Sequence, residues 1–207
     1  MGDFEFLAGF YGILLGLIVA EVSVKLADAI DSHRRRPIGW LTPMLAVIVL
    51  LDVTSFWMWL WSLRDVLEVT WPTTIVSTAL GITYFLAAGL VFPRTSEGWT
   101  DLDSHYWARK RLVIGALVAI DSFVLARNLL RLLPAWNDVW FFYWQGAYFG
   151  PLIALLFTRK RRWDLALLTA LMIYWLLGAL EMMPDSDWAD RLGANGTRAA
   201  TGEAAPR

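Results

Sequence analysis

Six long apolar segments constrain the fold of this chain more than any other feature of its sequence. They cover approximately residues 6–30, 40–62, 73–92, 112–133, 139–158 and 164–183. A helix of about 20 apolar residues crosses the roughly 30 Å hydrocarbon core of a bilayer, and each segment reaches that length. Because backbone polar groups must be hydrogen-bonded within the membrane, the segments predict an all-α fold, a polytopic membrane helix bundle with six transmembrane helices.

The composition excludes several classes of protein. Of the 207 residues, 57% are hydrophobic and 18% are charged, and the net charge of −1 gives no indication of nucleic-acid binding. The absence of cysteine excludes disulfides and metal sites built on sulfur. Both histidines, His33 and His105, fall in predicted loops, so a haem held by two histidines is not expected. With no motif for a metal, a nucleophile or a phosphate, the sequence predicts no cofactor and does not favour an enzyme.

Basic residues are concentrated in alternate connections between the predicted spans. The connections after spans one, three and five contain Arg34, Arg35, Arg36, Arg94, Arg109, Lys110, Arg111, Arg159, Lys160, Arg161 and Arg162. Lys and Arg accumulate on the cytoplasmic side of membrane proteins, so these connections are predicted to be cytoplasmic. Both termini then face the other side, which for a bacterial inner membrane is the periplasm. Most of the 13 tryptophans lie near span ends, where their rings form belts at the two interfaces.

Residues 1–183 are predicted to form one transmembrane domain, and residues 184–207 a disordered tail. The tail is rich in Ala, Gly, Asp and Thr and has almost no large apolar residue after Trp188, which is typical of disordered chains. Within the domain, GLIVAEVSVKLAD from Gly16 aligns with GALVAIDSFVLAR from Gly115, as the halves of an inverted transporter repeat would. The same offset gives no match for the later spans, so the repeat stays an open alternative.

Three carboxylates fall near the middle of predicted spans: Glu21, Asp52 and Asp121. A charged side chain at this depth costs about 2.5–3.5 kcal/mol, so each acid must be protonated, paired or in contact with water inside the bundle. We therefore expect Asp52 to face protein rather than lipid. Lys25 lies one helical turn after Glu21 and can form an ion pair with it.

The third and fifth spans carry signals of close packing. Thr73, Ser77 and Gly81 recur every four positions of the third span, which predicts a close-packing helix face whose hydroxyls could donate to the buried acids. In the fifth span, Gly150-Pro151 removes a helical hydrogen bond and predicts a bend. A packed kink is favoured there over a broken binding helix.

The candidate site combines the buried acids with neighbouring polar side chains. Its predicted members are Glu21, Asp52, Asp121, Lys25, Arg127 and Gln145. The two basic side chains would set the electrostatic field, and the glutamine would contribute a hydrogen bond. Intramembrane ionisable residues are typical of ion and solute pathways. We therefore predict a small permease-like or channel-like bundle with an acidic midplane site for protons, cations or a polar solute.

The alternative function is a non-catalytic membrane partner that assembles or stabilises a larger membrane complex. It predicts a closed bundle whose acids are all hydrogen-bonded, whereas a permease-like or channel-like bundle predicts a water-accessible cavity that reaches them. Besides the lipid bilayer, the partner would be another membrane protein or a second copy of the chain.

One resemblance adds to this interpretation. The stretch FEFLAGFYGILLGLIVAEVSVKLADAI precedes a basic loop and a Trp-rich second span, and LDSHYWARKR precedes the fourth span. This pattern resembles a group of six-span bacterial inner-membrane proteins that share an acid before the first span and another late in it. The resemblance covers the chain to about residue 180. It implies an inner-membrane location but no particular chemistry, and no site residue is carried over from it.

Overall fold

Six α-helices make up most of this computed structural model, which describes residues 3–32, 39–64, 70–93, 102–184, 186–188 and 191. The helices are α1 (Asp3–Ser32), α2 (Leu41–Ser62), α3 (Trp71–Val91), α4 (Leu102–Arg131), α5 (Val139–Phe157) and α6 (Arg161–Ala179). Within the described residues, the five helices α2 to α6 are long and apolar enough to cross a membrane. The predicted all-α membrane bundle is therefore confirmed, while a membrane crossing by α1 stays a prediction.

Local sequence signals set the helix boundaries. Thr70 caps α3 by accepting a hydrogen bond from the Thr73 N–H at 3.4 Å, and Asp138 caps α5 by accepting one from the Phe141 N–H at 3.0 Å. These side chains satisfy donors that a helix start leaves without a partner. Helix α5 continues through Pro151 to Phe157, so the helix is not broken at the proline.

Helix α4 begins at Leu102, well before the predicted start of the fourth span at residue 112. The residues between these points include Asp103, Arg109, Lys110 and Arg111, so hydropathy alone assigns them to a loop. They nevertheless include good helix formers, and Asp103 lies in the first turn, where a negative charge is favourable. This extension places Tyr106 and Lys110 on an ordered helix.

Helix α2 lies at the centre of the bundle. It packs against α1, α3, α4 and α6, and α5 packs between α4 and α6, whereas α1 packs on α3 and α2. It is also the most buried of the five candidate spans. Asp52, in the middle of α2, is therefore surrounded by protein.

The bundle has two chemically different ends. At one of them, His105 lies 3.0 Å from the Leu90 carbonyl oxygen, Arg111 donates to the Leu156 carbonyl at 3.0 Å, and Arg161 pairs with Asp103 at 3.3 Å. We call this the basic end, because it carries the basic residues at 109–111 and 159–162. The opposite end contains the turn between α4 and α5 at residues 132–138.

The small-residue face of α3 packs against α1 at Gly81, as its spacing predicts. Gly81 is buried, and a Cβ atom there would lie only 2.9 Å from Cδ1 of Leu14. The predicted donation from this face to the buried acids does not occur at Thr73, whose hydroxyl pairs with that of Thr70 at 2.8 Å. The face therefore serves the contact between helices.

We predict that Gly81→Val lowers the free energy of unfolding by about 1–3 kcal/mol, because the added methyl groups overpack the contact with Leu14. Gly89→Val on the same helix is the matched control, since a Cβ atom at Gly89 meets nothing within 4 Å. Unfolding in detergent measures both changes. Leu14→Ala should restore stability to Gly81→Val, and equal losses at the two glycines would contradict the prediction.

Candidate functional site

Asp52 is buried at the centre of the bundle, with only 1% of its surface exposed. The Tyr84 hydroxyl from α3 donates to Oδ2 of Asp52 at 3.0 Å, and the Tyr148 hydroxyl from α5 lies 2.7 Å from Oδ1. A buried carboxyl group without hydrogen bonds would be strongly unfavourable, and these two phenols supply them. Asp52 therefore faces protein, as its position near the middle of a predicted span indicates.

Tyr148 also connects Asp52 to a second acid. Its hydroxyl oxygen lies 2.6 Å from Oδ2 of Asp121 on α4. A phenol carries one proton and can donate it to only one carboxylate at a time. Two such short contacts are both hydrogen bonds only if one carboxyl group is itself protonated and donates to the phenol oxygen. We call these three residues the Asp–Tyr–Asp chain.

A cavity of about 170 Å³ lies beside the Asp–Tyr–Asp chain. Its polar lining residues are Asp52, Ser55, Asp121, Asn128 and Gln145. Its aromatic lining residues are Tyr148, Phe149, Tyr174, Trp175 and Trp188. On α2 and α4 the lining runs from the acids toward the C-terminal ends of the helices, so the cavity extends toward the opposite end of the bundle. There Asn128 accepts a hydrogen bond from the Trp59 indole at 3.3 Å.

Toward the basic end, the Asp–Tyr–Asp chain borders on apolar side chains instead. Four apolar residues lie one helical turn away from the polar residues, on the side of the basic end. Ile48 precedes Asp52, Leu117 precedes Asp121, Leu152 follows Tyr148 and Leu171 precedes Tyr174. Each of these four side chains is at most 1% exposed, and all belong to the same hydrophobic core. We call them the apolar layer. They separate the acids from the basic end with tightly packed hydrocarbon.

A second buried polar cluster lies at the basic end, beyond the apolar layer. Lys110 and Asp164 form an ion pair with exposures of 2% and 0%, and Lys110 also donates to the Thr158 carbonyl at 2.6 Å. The Tyr106 hydroxyl donates to Asp164 at 2.8 Å, and the Lys110 amine lies 4.4 Å from the ring centroid of Trp107. The cluster links α4, α6 and the end of α5.

The structure brings together three of the six predicted site residues: Asp52, Asp121 and Gln145 all line the cavity. Glu21 and Lys25 instead pair with each other on α1 at 3.5 Å. Arg127 is an exposed residue of α4. Among the described residues, the cavity lining contains none of these last three.

Sequence reasoning missed the tyrosines that hold the acids. Tyr84 and Tyr148 both occur near the middle of their helices, at the depth where Asp52 occurs in α2. A buried phenol needs a hydrogen-bond partner, so tyrosines and acids at equal depth are natural partners. Matching polar residues by depth could have found this set. The pair of Lys110 and Asp164 gave a weaker signal, because both residues lie beside runs of other charges.

The described residues contain no group of three or more His, Cys, Asp or Glu side chains that could hold a metal ion. His33 lies outside the described residues, and His105 lies against the Leu90 carbonyl. The polar groups of the cavity lining include carboxyl, phenol, hydroxyl and amide groups. The carboxyl groups can exchange protons, and the oxygen atoms of the lining can contact cations.

The chain after α6 turns back over the opposite end of the bundle. The Trp188 backbone N–H donates to Asp138 at 2.8 Å, and its indole donates to the Leu132 carbonyl at 2.7 Å. The Trp188 ring packs against Phe141 with centroids 4.8 Å apart. Residues 186–188 of the predicted tail thus pack on the bundle. Most of the remaining tail lies outside the described residues, and its disorder stays a prediction.

No family model, curated protein or solved structure matches this chain in comparisons of sequence and fold. The resemblance to six-span inner-membrane proteins therefore identifies no family. The helices themselves establish a multi-pass membrane protein.

We predict that Lys110→Met lowers the free energy of unfolding by about 3–5 kcal/mol, because it leaves the buried Asp164 without its counter-charge. Arg161→Met is the matched control: its side chain is 56% exposed, and its loss should cost at most about 1 kcal/mol. Thermal unfolding in detergent compares the two. The double variant Lys110→Met, Asp164→Leu should recover much of the stability, and a Lys110→Met variant as stable as the control would refute the prediction.

We predict that a single cysteine at Gln145 reacts with a small thiol reagent in water, whereas one at Leu117 in the apolar layer does not. Because the chain has no natural cysteine, each variant has one labelling site. Trp188→Ala should speed the reaction at Gln145→Cys, since Trp188 forms part of the cavity wall. Mass spectrometry measures the labelling, and equal protection at both positions would exclude a water-accessible cavity.

Proposed function

We propose that this protein is a small permease-like or channel-like bundle whose Asp–Tyr–Asp chain binds protons or other monovalent cations in the middle of the membrane. One observation carries the proposal: the Tyr148 hydroxyl lies within hydrogen-bonding distance of both Asp52 and Asp121, and all three residues line a cavity. Buried acids at bilayer depth are costly, and membrane proteins retain them chiefly along ion and proton pathways.

The proton is the simplest ligand of the Asp–Tyr–Asp chain. The two short contacts of Tyr148 require one proton beyond the one on its own hydroxyl. That proton resides on Asp52 or Asp121 and can pass between them through the phenol, which accepts a proton on one side as it donates on the other. Asp121 is more exposed than Asp52 and lines the cavity, so it is the group that exchanges protons with water.

The two halves of the bundle support transport by alternating access. The cavity gives the acids a route toward the opposite end, whereas the apolar layer and the pair of Lys110 and Asp164 close the route toward the basic end. Passage across the membrane then requires this closure to open while the cavity closes. We place the basic end in the cytoplasm and the termini in the periplasm of a bacterial inner membrane. The distribution of Lys and Arg supports this orientation, and the resemblance to six-span inner-membrane proteins supports this membrane.

The alternative of a membrane partner without transport receives less support. It predicts a closed bundle with every buried acid satisfied, and the cavity beside Asp121 departs from that expectation. Glu21, Lys25 and Arg127 are left out of the proposed site, because none of them lines the cavity within the described residues.

Proton flux into proteoliposomes tests the proposal directly. We predict that the wild-type protein dissipates an imposed pH gradient, reported by a dye trapped in the vesicles, when a potassium ionophore compensates the charge. Asp52→Asn and Asp121→Asn should reduce the flux to that of empty vesicles, because each removes a proton-binding group of the chain. Tyr148→Phe should reduce it as well, because the ring remains but the hydroxyl relay is lost.

Two variants serve as matched controls for this assay. Glu21→Gln removes an acid that lies outside the cavity lining, and Tyr143→Phe removes the hydroxyl of an exposed residue of the same helix as Tyr148. Both should retain the wild-type flux. A proton flux that stays at the wild-type level in Asp52→Asn and in Asp121→Asn would rule out this site. A proton flux into wild-type vesicles no larger than that into empty vesicles would rule out proton transport.

A further inference from the structure

We infer that the cavity beside the Asp–Tyr–Asp chain is a binding site for a small organic ammonium ion. This inference rests on the proposed function and names the solute that the site would exchange for its proton. Three properties of the cavity carry it: the charge of its lining, the aromatic rings in its wall and its size.

The charge of the lining selects a cation. Asp52 and Asp121 are the two ionisable acids of the lining, and its described residues include no Lys, Arg or His. If the two acids share one proton, the site keeps one negative charge, which one monovalent cation balances. When both acids lose their proton, the attraction for a cation increases, so proton release and cation binding are linked.

The aromatic rings favour an organic cation over a metal ion. The rings of Tyr148, Tyr174 and Trp175 form a cluster with centroid separations of 5.3, 5.6 and 5.7 Å. All three line the cavity, together with Phe149 and Trp188. Aromatic rings attract organic ammonium groups, and desolvated contacts contribute about 2 kcal/mol. Hard metal ions instead require several oxygen ligands, which a wall of rings does not supply.

The size of the cavity suits a small ligand. Its volume of about 170 Å³ is close to that of an engineered cavity of about 150 Å³ that holds benzene. Choline and tetramethylammonium are cations of this size. Their methyl groups can contact the rings, while their charge lies near Asp121, at the boundary between the aromatic wall and the acids.

Calorimetric titration of the purified full-length protein with choline tests the inference. The comparison ligand is the uncharged analogue of choline, in which carbon replaces nitrogen, because it keeps the shape and removes the charge. We expect choline to bind at least about tenfold more tightly than this analogue, as loss of the interaction with rings and carboxylate predicts. Tetramethylammonium should compete with choline, and sodium ions at the same concentration should not.

Variants of the lining locate the site. Tyr174→Leu should weaken choline binding several-fold, and Tyr174→Phe should restore it, since the ring rather than the hydroxyl makes the contact. Asp121→Asn should weaken binding by about tenfold through the lost charge. Trp136→Leu is the control, because this ring is 96% exposed and lies outside the lining. Equal losses in Trp136→Leu and Tyr174→Leu would overturn the assignment to this cavity.

Failure of this inference is distinguishable from failure of the proposed function. The proton-flux assay contains no organic amine and therefore tests the acids alone. A protein that transports protons but binds neither choline nor tetramethylammonium, or that binds choline and its uncharged analogue equally, would overturn the inference and leave proton transport intact. Selective choline binding without proton flux would support the cavity assignment and refute the coupling to protons.

Discussion

Burial of the Asp52 carboxyl group in the central helix is the constraint on which the rest of this structure depends. Because α2 contacts four other helices, a polar group at its midpoint can be satisfied only by its neighbours. Tyr84 and Tyr148 provide the hydrogen bonds from α3 and α5, and Tyr148 also contacts Asp121 on α4. One carboxyl group is thus connected by hydrogen bonds, directly or through Tyr148, to side chains of three other helices.

The two polar clusters divide the bundle into halves with different properties. On one side of the Asp–Tyr–Asp chain, a cavity of about 170 Å³ brings polar and aromatic groups together. On the other side, the apolar layer and the buried pair of Lys110 and Asp164 hold α4 and α6 together. A buried ion pair is strong only while both partners remain desolvated, so entry of water would weaken it. This asymmetry is what the proposed transport cycle requires of one of its end states.

Sequence predicted the fold better than the site, for physical reasons. Apolar length indicates helices directly, and the cost of charge at bilayer depth required Asp52 to face protein. Which side chains meet Asp52 depends on helix packing, and hydropathy carries no information on helix packing. Hydropathy therefore does not distinguish Tyr148 from the other aromatic residues of its span. Lys110 falls in a predicted connection because the charged first turns of α4 have no apolar signal, although these turns are helical. Trp188 falls in the predicted polar tail, and its hydrogen bond to Asp138 depends on the tail folding back across the bundle.

Infrared difference spectroscopy at neutral pH tests the central claim, a proton shared within the Asp–Tyr–Asp chain, most directly. Subtracting the spectrum of Asp121→Asn from that of the wild-type protein cancels the carboxyl groups outside the Asp–Tyr–Asp chain. The shared proton predicts a carbonyl stretching band of a protonated carboxylic acid in the wild-type protein, which Asp121→Asn removes and Tyr148→Phe shifts. A difference spectrum that contains carboxylate bands alone would mean that both acids are ionised, and it would contradict the account.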